Sequence, residues 1–156
     1  MPDRSKIPES VLVVIHSAEL DVLLLERADR PGFWQSVTGS KDTESELLVE
    51  TCVREVGEET GIVIGSDAVS TASLVDWNLA NVYDIYPAWR HRYADGVTRN
   101  TEHVFSLCVP RSVAVRLSAR EHLRFEWLGW NTAAERCFSP TNAEAIRQLA
   151  RRVDCP

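Results

Sequence analysis

The stretch that decides the fold is GSKDTESELLVETCVREVGEETGI, residues 39–62. Thr43 is followed three residues later by Glu46, which is the spacing of a capping box, and Gly61 suits the C-terminal cap of a helix. These signals predict a helix over residues 44–59.

On a wheel of this helix, the apolar residues form a stripe about 140° wide. They are Leu48, Val49, Cys52, Val53 and Val56. Glu55 and Glu59 lie at the edge of this stripe, whereas Glu46, Glu50, Arg54 and Glu58 lie on the opposite side. Arg54 is expected to orient Glu50, which lies four residues before it.

Glu55 and Glu59 are one helical turn apart and both lean toward the body of the protein. Two such carboxylates repel each other, and burying an unpaired carboxylate is costly. A Mg²⁺ ion between them would offset both costs, since it binds carboxylate oxygens and is commonly shared with substrate phosphates. From spacing alone, a solvated acidic helix end that includes Glu58 is an equal alternative.

Elsewhere the chain reads as alternating short strands and helices. Apolar and β-branched runs predict strands, and apolar residues at helical spacing predict a C-terminal helix. The strands are expected over residues 10–15, 22–25, 33–38, 69–77, 82–86 and 104–109, and the helix over 140–152. No repeat or linker divides the chain, so residues 1–156 are expected to form a single domain.

Composition excludes several classes of protein. A net charge of −6 argues against nucleic acid polymers and anionic membranes as partners. No apolar run approaches the roughly 20 residues that a bilayer requires, and no secretory signal is recognised, so we expect a cytoplasmic protein without membrane association. No two of the four cysteines have the two-residue spacing of a zinc knuckle or a redox pair. The sequence makes no prediction about oligomeric state.

Residues 39–62 resemble the Nudix box. That signature is a Gly, five spacers, Glu, seven spacers, Arg-Glu, an aliphatic residue, one spacer, Glu-Glu, one spacer, Gly and an aliphatic residue. The match from Glu46 to Ile62 is complete, but six residues rather than five separate Gly39 from Glu46. The extra residue falls in the loop before the helix.

Residues 33–40 and 90–102 are similar to bacterial dihydroneopterin triphosphate pyrophosphatases, a group within that family. The resemblance implies the α/β (α+β) Nudix fold, a mixed β-sheet sandwiched between helices. It also implies conversion of 7,8-dihydroneopterin triphosphate to the monophosphate and pyrophosphate, a step of folate biosynthesis, with Mg²⁺ as cofactor and Mn²⁺ as the alternative cation. These enzymes also hydrolyse nucleoside triphosphates such as dATP, so a nucleotide hydrolase is one alternative. A non-catalytic nucleotide-binding Nudix module is another, which the complete set of box glutamates disfavours.

The same resemblance implies a set of site residues. Metal ligation is implied for Glu55, Glu59 and Glu121, and the base that accepts a proton from water is either Glu58 or Glu121. Arg54 is counted with the catalytic residues because it belongs to the box. Contacts to the phosphates and the heterocycle are implied for Lys6, Arg27, Thr38, Tyr83, Asp84, Ile85, Tyr86 and Ser139.

Two further groups of residues are candidates on physical grounds. Trp34, Tyr83 and Tyr86 could stack a planar pterin or purine, although core packing is an equal alternative for each. Arg90, His91, Arg92 and Arg99 form a basic patch that could attract a small triphosphate despite the negative net charge. If Arg90 and Arg92 alternate on a strand, only one face of the patch can meet the ligand.

Overall fold

The computed structural model describes residues 5–152, in which seven strands form one mixed sheet. The spatial order is β3-β2-β1-β6-β5, with β4 paired to β1 and β7 paired to β2. The strands are β1 (Glu9–His16), β2 (Asp21–Arg27), β3 (Trp34–Gln35), β4 (Val37–Ser40), β5 (Leu74–Asp84), β6 (Arg99–Cys108) and β7 (His122–Gly129). The helices are α1 (Leu48–Thr60), α2 (Trp130–Arg136) and α3 (Pro140–Arg152).

Strand β1 is apolar on both faces because each face meets a helical layer. Val11, Val13 and Ile15 pack in a core with α1, whereas Leu12 and Val14 pack in a second core with α2 and α3. Its pairing with β6 is parallel and its pairings with β2 and β4 are antiparallel. The predicted mixed sheet between helices is therefore confirmed.

Helix α1 begins four residues later than predicted, because Glu46 has other partners. Its carboxylate accepts hydrogen bonds from the backbone of Asp42 (2.9 Å) and from Arg54, so Thr43 and Glu46 form a turn rather than a capping box. Glu50 instead accepts the backbone N–H of Leu47, at 2.8 Å. The predicted C-terminal cap is confirmed at Gly61, whose φ of 74° is left-handed.

The strand predictions differ from the structure mainly in their boundaries. Residues 69–77 and 82–86 were expected as two strands, but a single strand, β5, runs through them with an irregular register between Asp76 and Ala80. Strand β6 begins at Arg99 rather than at residue 104. Strand β7 and helix α2 were not predicted, whereas the helix over residues 140–152 is confirmed. None of the helices within residues 5–152 is long and apolar enough to cross a membrane.

Candidate active site

Helix α1 directs Glu55 and Glu59 inward, toward strand β4. Glu59 is only 3% exposed, and Glu55 lies over Gly39, where a Cβ atom would overlap its side chain. The buried arc of α1 is rotated toward these glutamates, so Val49 and Val53, predicted to face the core, are exposed at the surface. The inward orientation of both glutamates, expected from the wheel, is confirmed.

Arg54 holds Glu55 in place rather than Glu50. Its guanidinium donates to Glu55 Oε1 at 2.8 Å, to both oxygens of Glu46 at 2.9 and 3.0 Å, and to the carbonyl of Ser40 at 2.9 Å. The predicted pairing with Glu50 is wrong, because Glu50 caps the start of the helix. The extra residue after Gly39 is accommodated in the turn before α1, and Glu46 still reaches Arg54.

Glu55 and Glu59 form a tightly coupled acidic pair. Burial, above all, raises the pKa of Glu55 and raises the pKa of Glu59 more strongly. The two carboxyl groups lie close enough to interact directly, and the charge of Glu55 raises the pKa of Glu59 further. Glu59 also accepts the backbone N–H of Thr38, yet its Oε1 is buried without a hydrogen-bond partner among the described residues.

His122 lies beside this pair but does not neutralise it. Its Nε2 is 3.7 Å from Glu59 Oε1, which is too long for a hydrogen bond. Burial and the nearby Arg27 lower the pKa of His122 to about 4, so the imidazole is neutral at pH 7. His122 therefore does not act as a cationic partner for Glu59.

Glu121 lines the same recess as Glu55, Glu59 and His122, which we call the acidic part of the cleft. Glu121 is exposed, and residues 5–152 contain no preassembled group of three acidic, histidine or cysteine side chains suited to a metal. The charge of Glu121 nevertheless contributes to the raised pKa of Glu59, which is due mainly to burial. Glu58, the other candidate base, lies outside the acidic part; it is 52% exposed and lies 3.5 Å from Arg54.

The acidic part continues into a larger recess of about 420 Å³, the aromatic part of the cleft. The cationic residues Lys6, Arg27 and Arg92 line both parts, and we call them the cationic belt. Thr38, Gly39 and Ser40 of β4 also line both parts. The aromatic part holds the remaining predicted contacts Tyr83, Asp84, Ile85, Tyr86 and Ser139.

Trp89 and Phe138 also line the aromatic part, and neither was singled out in the sequence. Tyr86 packs edge-on against Trp89 with ring centroids 5.2 Å apart, and Phe138 lies 6.5 Å from each of them. Arg27 of the cationic belt stacks 4.6 Å from the ring of Trp89. This arrangement joins an aromatic surface to a cationic one.

Trp34 and most of the basic patch lie outside the cleft. Trp34 is buried in the core formed with α2 and α3 and does not line the cleft, so core packing is the correct reading for this residue. Of the basic patch, only Arg92 reaches the cleft. Residues 87–92 form a short 3₁₀ helix rather than a strand, and Arg99 pairs with Asp84 at the surface, 3.4 Å away.

Comparison with known proteins assigns this fold and site to a family. The family model described as the NUDIX domain matches residues 6–149. The chain belongs to the Nudix family. Nudix hydrolases generally use divalent metal ions.

This Nudix protein has relatives that are similar over nearly their whole length. It is 41% identical to the dihydroneopterin triphosphate diphosphatase of Escherichia coli strain K12, over 92% of this chain and 93% of that protein. It is 40% identical to the enzyme of the same name from Haemophilus influenzae, over 90% of this chain and 85% of that protein. The solved structure of the E. coli dihydroneopterin triphosphate pyrophosphohydrolase superposes with a TM-score of 0.85 at 39% identity, covering 96% and 99% of the two chains.

The residues of the acidic part fit a divalent cation. Carboxylate oxygens are the ligands that hard cations prefer, and Glu59 Oε1 lacks any other partner among the described residues. A cation between Glu55 and Glu59 would offset the repulsion between the two carboxylates. The fit therefore rests on the donor chemistry of this pair, with Glu121 available from the same recess.

Proposed function

We propose that this chain is a Mg²⁺-dependent pyrophosphohydrolase that converts 7,8-dihydroneopterin triphosphate to the monophosphate and pyrophosphate. The observation that carries the proposal is the order in which aromatic, cationic and acidic side chains follow one another along the cleft. The cationic belt lies between the aromatic part and the acidic part. In a planar heterocycle that carries a triphosphate, the ring would lie in the aromatic part, the phosphates on the belt and their divalent cation in the acidic part. The name of the E. coli relative supports the pterin as the heterocycle.

The cationic and acidic residues of the cleft have separate roles. Lys6, Arg27 and Arg92 bind the phosphate oxygens, because their charges offset the charge of the triphosphate. Glu55 and Glu59 hold the divalent cation, which when bound supplies charge neutralisation and a more acidic water. Mn²⁺ is expected to substitute for Mg²⁺ because both take oxygen ligands.

Glu121 is the proton acceptor in this proposal. It lies in the acidic part, whereas Glu58 lies outside it. Arg54 contacts three carboxylates and a backbone carbonyl but does not line the cleft, so it acts as a positioning residue for Glu55. We also propose that residues 1–156 form a single domain, which the family match over residues 6–149 supports.

The test is pyrophosphate release from 7,8-dihydroneopterin triphosphate and from dATP, with and without Mg²⁺. We expect Mg²⁺-dependent release with a kcat/KM at least about tenfold higher for the pterin. A clear preference for dATP would make the chain a nucleotide hydrolase instead. No release from either substrate would favour the non-catalytic binding module.

A further inference from the structure

Two buried polar residues of β6, Asn100 and Glu102, line the aromatic part of the cleft. They belong to the stretch over residues 90–102 that resembles the dihydroneopterin triphosphate pyrophosphatases, and no role above uses them. They are 3% and 4% exposed, and they share one face of the strand because they are two residues apart. Buried polar groups need hydrogen-bond partners, so the contacts of each residue show which of its polar atoms can still bind a ligand.

Glu102 accepts only neutral donors. The hydroxyl of Thr141 donates to its Oε1 at 2.9 Å, and the side chains of Asn81 and Tyr83 are its neutral neighbours. None of the ion pairs within residues 5–152 includes Glu102. A carboxylate offers about four positions to donors, so Glu102 can accept further hydrogen bonds from a ligand in the recess that it lines.

Asn100 has an acceptor without a donor. Its amide nitrogen donates to Ser10 Oγ at 2.7 Å and to the hydroxyl oxygen of Tyr83 at 3.1 Å. The hydroxyl oxygens of Ser10 and Tyr83 both act as acceptors toward this amide. Asn100 Oδ1 is then buried with no partner among the described residues.

We propose that Asn100 and Glu102 determine substrate specificity by accepting N–H groups from the polar edge of the bound heterocycle. The proposal rests on the proposed function and specifies its substrate class. Two acceptors in an aromatic recess match a 2-amino-4-oxopyrimidine ring, which presents an amino N–H beside a ring N–H. Adenine presents one amino group beside a ring acceptor on the corresponding edge, so it matches less well.

Pterin and guanine share this ring, so the test includes a substrate of each kind. Steady-state kinetics with Mg²⁺ would use 7,8-dihydroneopterin triphosphate, GTP and dATP on the wild type and on Glu102→Gln. This variant keeps the size of the side chain and replaces an acceptor oxygen with a donor. We expect kcat/KM to fall about ten- to a hundredfold for the pterin and for GTP, mainly through KM, and less than about threefold for dATP.

Asn81→Ala is the matched control. Asn81 lies opposite Glu102 in the pairing of β5 with β6 but does not line the cleft. If Glu102 only ties β5 to β6, this variant should reproduce the Glu102→Gln kinetics. In our account all three substrates keep kcat/KM within about threefold of the wild type.

A loss in Glu102→Gln that is equal for all three substrates would overturn the inference, because structural damage does not discriminate between heterocycles. A loss confined to the pterin, with GTP behaving like dATP, would overturn recognition through the shared ring. Asn100→Ala provides the same comparison if Glu102→Gln does not fold, as judged by thermal melting.

A failure of the proposed function can be distinguished from a failure of this inference. A wild type that releases no pyrophosphate from the pterin triphosphate contradicts the proposed function alone. Binding of neopterin and adenosine, followed by tryptophan fluorescence, then tests the inference without turnover. Glu102→Gln should weaken neopterin binding about tenfold or more and leave adenosine binding unchanged; equal weakening of both would refute specificity at Glu102.

Discussion

Gly39→Ala should disable the acidic part of the cleft without unfolding the protein. A Cβ atom at this position overlaps the side chain of Glu55. Gly39 is not one of the glycines with a left-handed backbone, so alanine suits its backbone and the overlap with Glu55 is the main effect. To restore ordinary contact, the Glu55 carboxylate must withdraw by about 1 Å or more.

This displacement sets the size of the expected effect. Misplacing a catalytic group by about 1 Å can lower the rate about a hundredfold. Overpacking of this kind also costs about 1–3 kcal/mol of unfolding free energy. Pyrophosphate release with saturating Mg²⁺ measures the first effect, and urea denaturation measures the second.

Gly57→Ala is the matched control, since Gly57 lies in α1 and the nearest atom to its added Cβ is 3.9 Å away. It should keep wild-type turnover and gain about 0.5–1 kcal/mol of stability from helix propensity. In a Glu55→Ala background, Gly39→Ala should cost no further stability. Wild-type turnover in Gly39→Ala, or an equal stability loss with and without Glu55, would refute the reasoning.

Three further predictions test the site and the fold. Glu59→Gln should lower turnover about 10²- to 10³-fold and abolish the Mg²⁺-induced rise in melting temperature. Wild-type turnover in this variant would contradict the role of Glu59 as a metal ligand. Hydrogen bonding to Arg54 lowers the pKa of Glu46 to about 2, so this carboxylate contributes stability at neutral pH that is lost as the pH falls from about 5 to 2. Glu46→Gln should remove that pH-dependent part, at most about 3 kcal/mol, as measured by denaturation across this range; an unchanged pH profile would contradict it. Asn142→Ala should lower the free energy of unfolding by about 2–3 kcal/mol in denaturation experiments, because the buried Asn142 amide accepts the backbone N–H of Ser36 at 2.8 Å and donates to its hydroxyl at 2.9 Å. A decrease below about 0.5 kcal/mol would show that these two hydrogen bonds are dispensable.

The acidic pair was predictable because it depends on local periodicity. Four-residue spacing places Glu55 and Glu59 on one side of any helix through residues 48–60, whatever the rest of the chain does. The exact rotation of α1 was not predictable. Thr51 and Glu59 are buried while Val49 is exposed, since packing against β1 and β4 outweighs the simple apolar stripe.

The start of α1 shows how a local signal can be overridden. Thr43 and Glu46 have capping-box spacing, but Arg54 lies eight residues beyond Glu46 and forms two hydrogen bonds with it. A charge-assisted pair of this kind is stronger than a single cap. The sequence contains both Thr43 and Arg54 but does not indicate which of them Glu46 will bind.

The aromatic part of the cleft was only partly predictable because it is assembled from distant segments. Trp89 and Phe138 come from different connections and meet only in the folded chain. Asn100 and Glu102 could have been found from their alternation on β6, had that strand been extended to its true start. Strand β7 was not predicted, although Leu123, Phe125 and Trp127 form an alternating apolar pattern that was available in the sequence.

The most direct test of the account is a crystal structure with Mn²⁺ and a non-hydrolysable dihydroneopterin triphosphate analogue, with the metal located by its anomalous scattering. The account predicts Mn²⁺ bound directly to the carboxylates of Glu55 and Glu59, phosphates on the cationic belt and the pterin edge against Asn100 and Glu102. Metal bound away from Glu55 and Glu59, or a pterin outside the aromatic part, would contradict it.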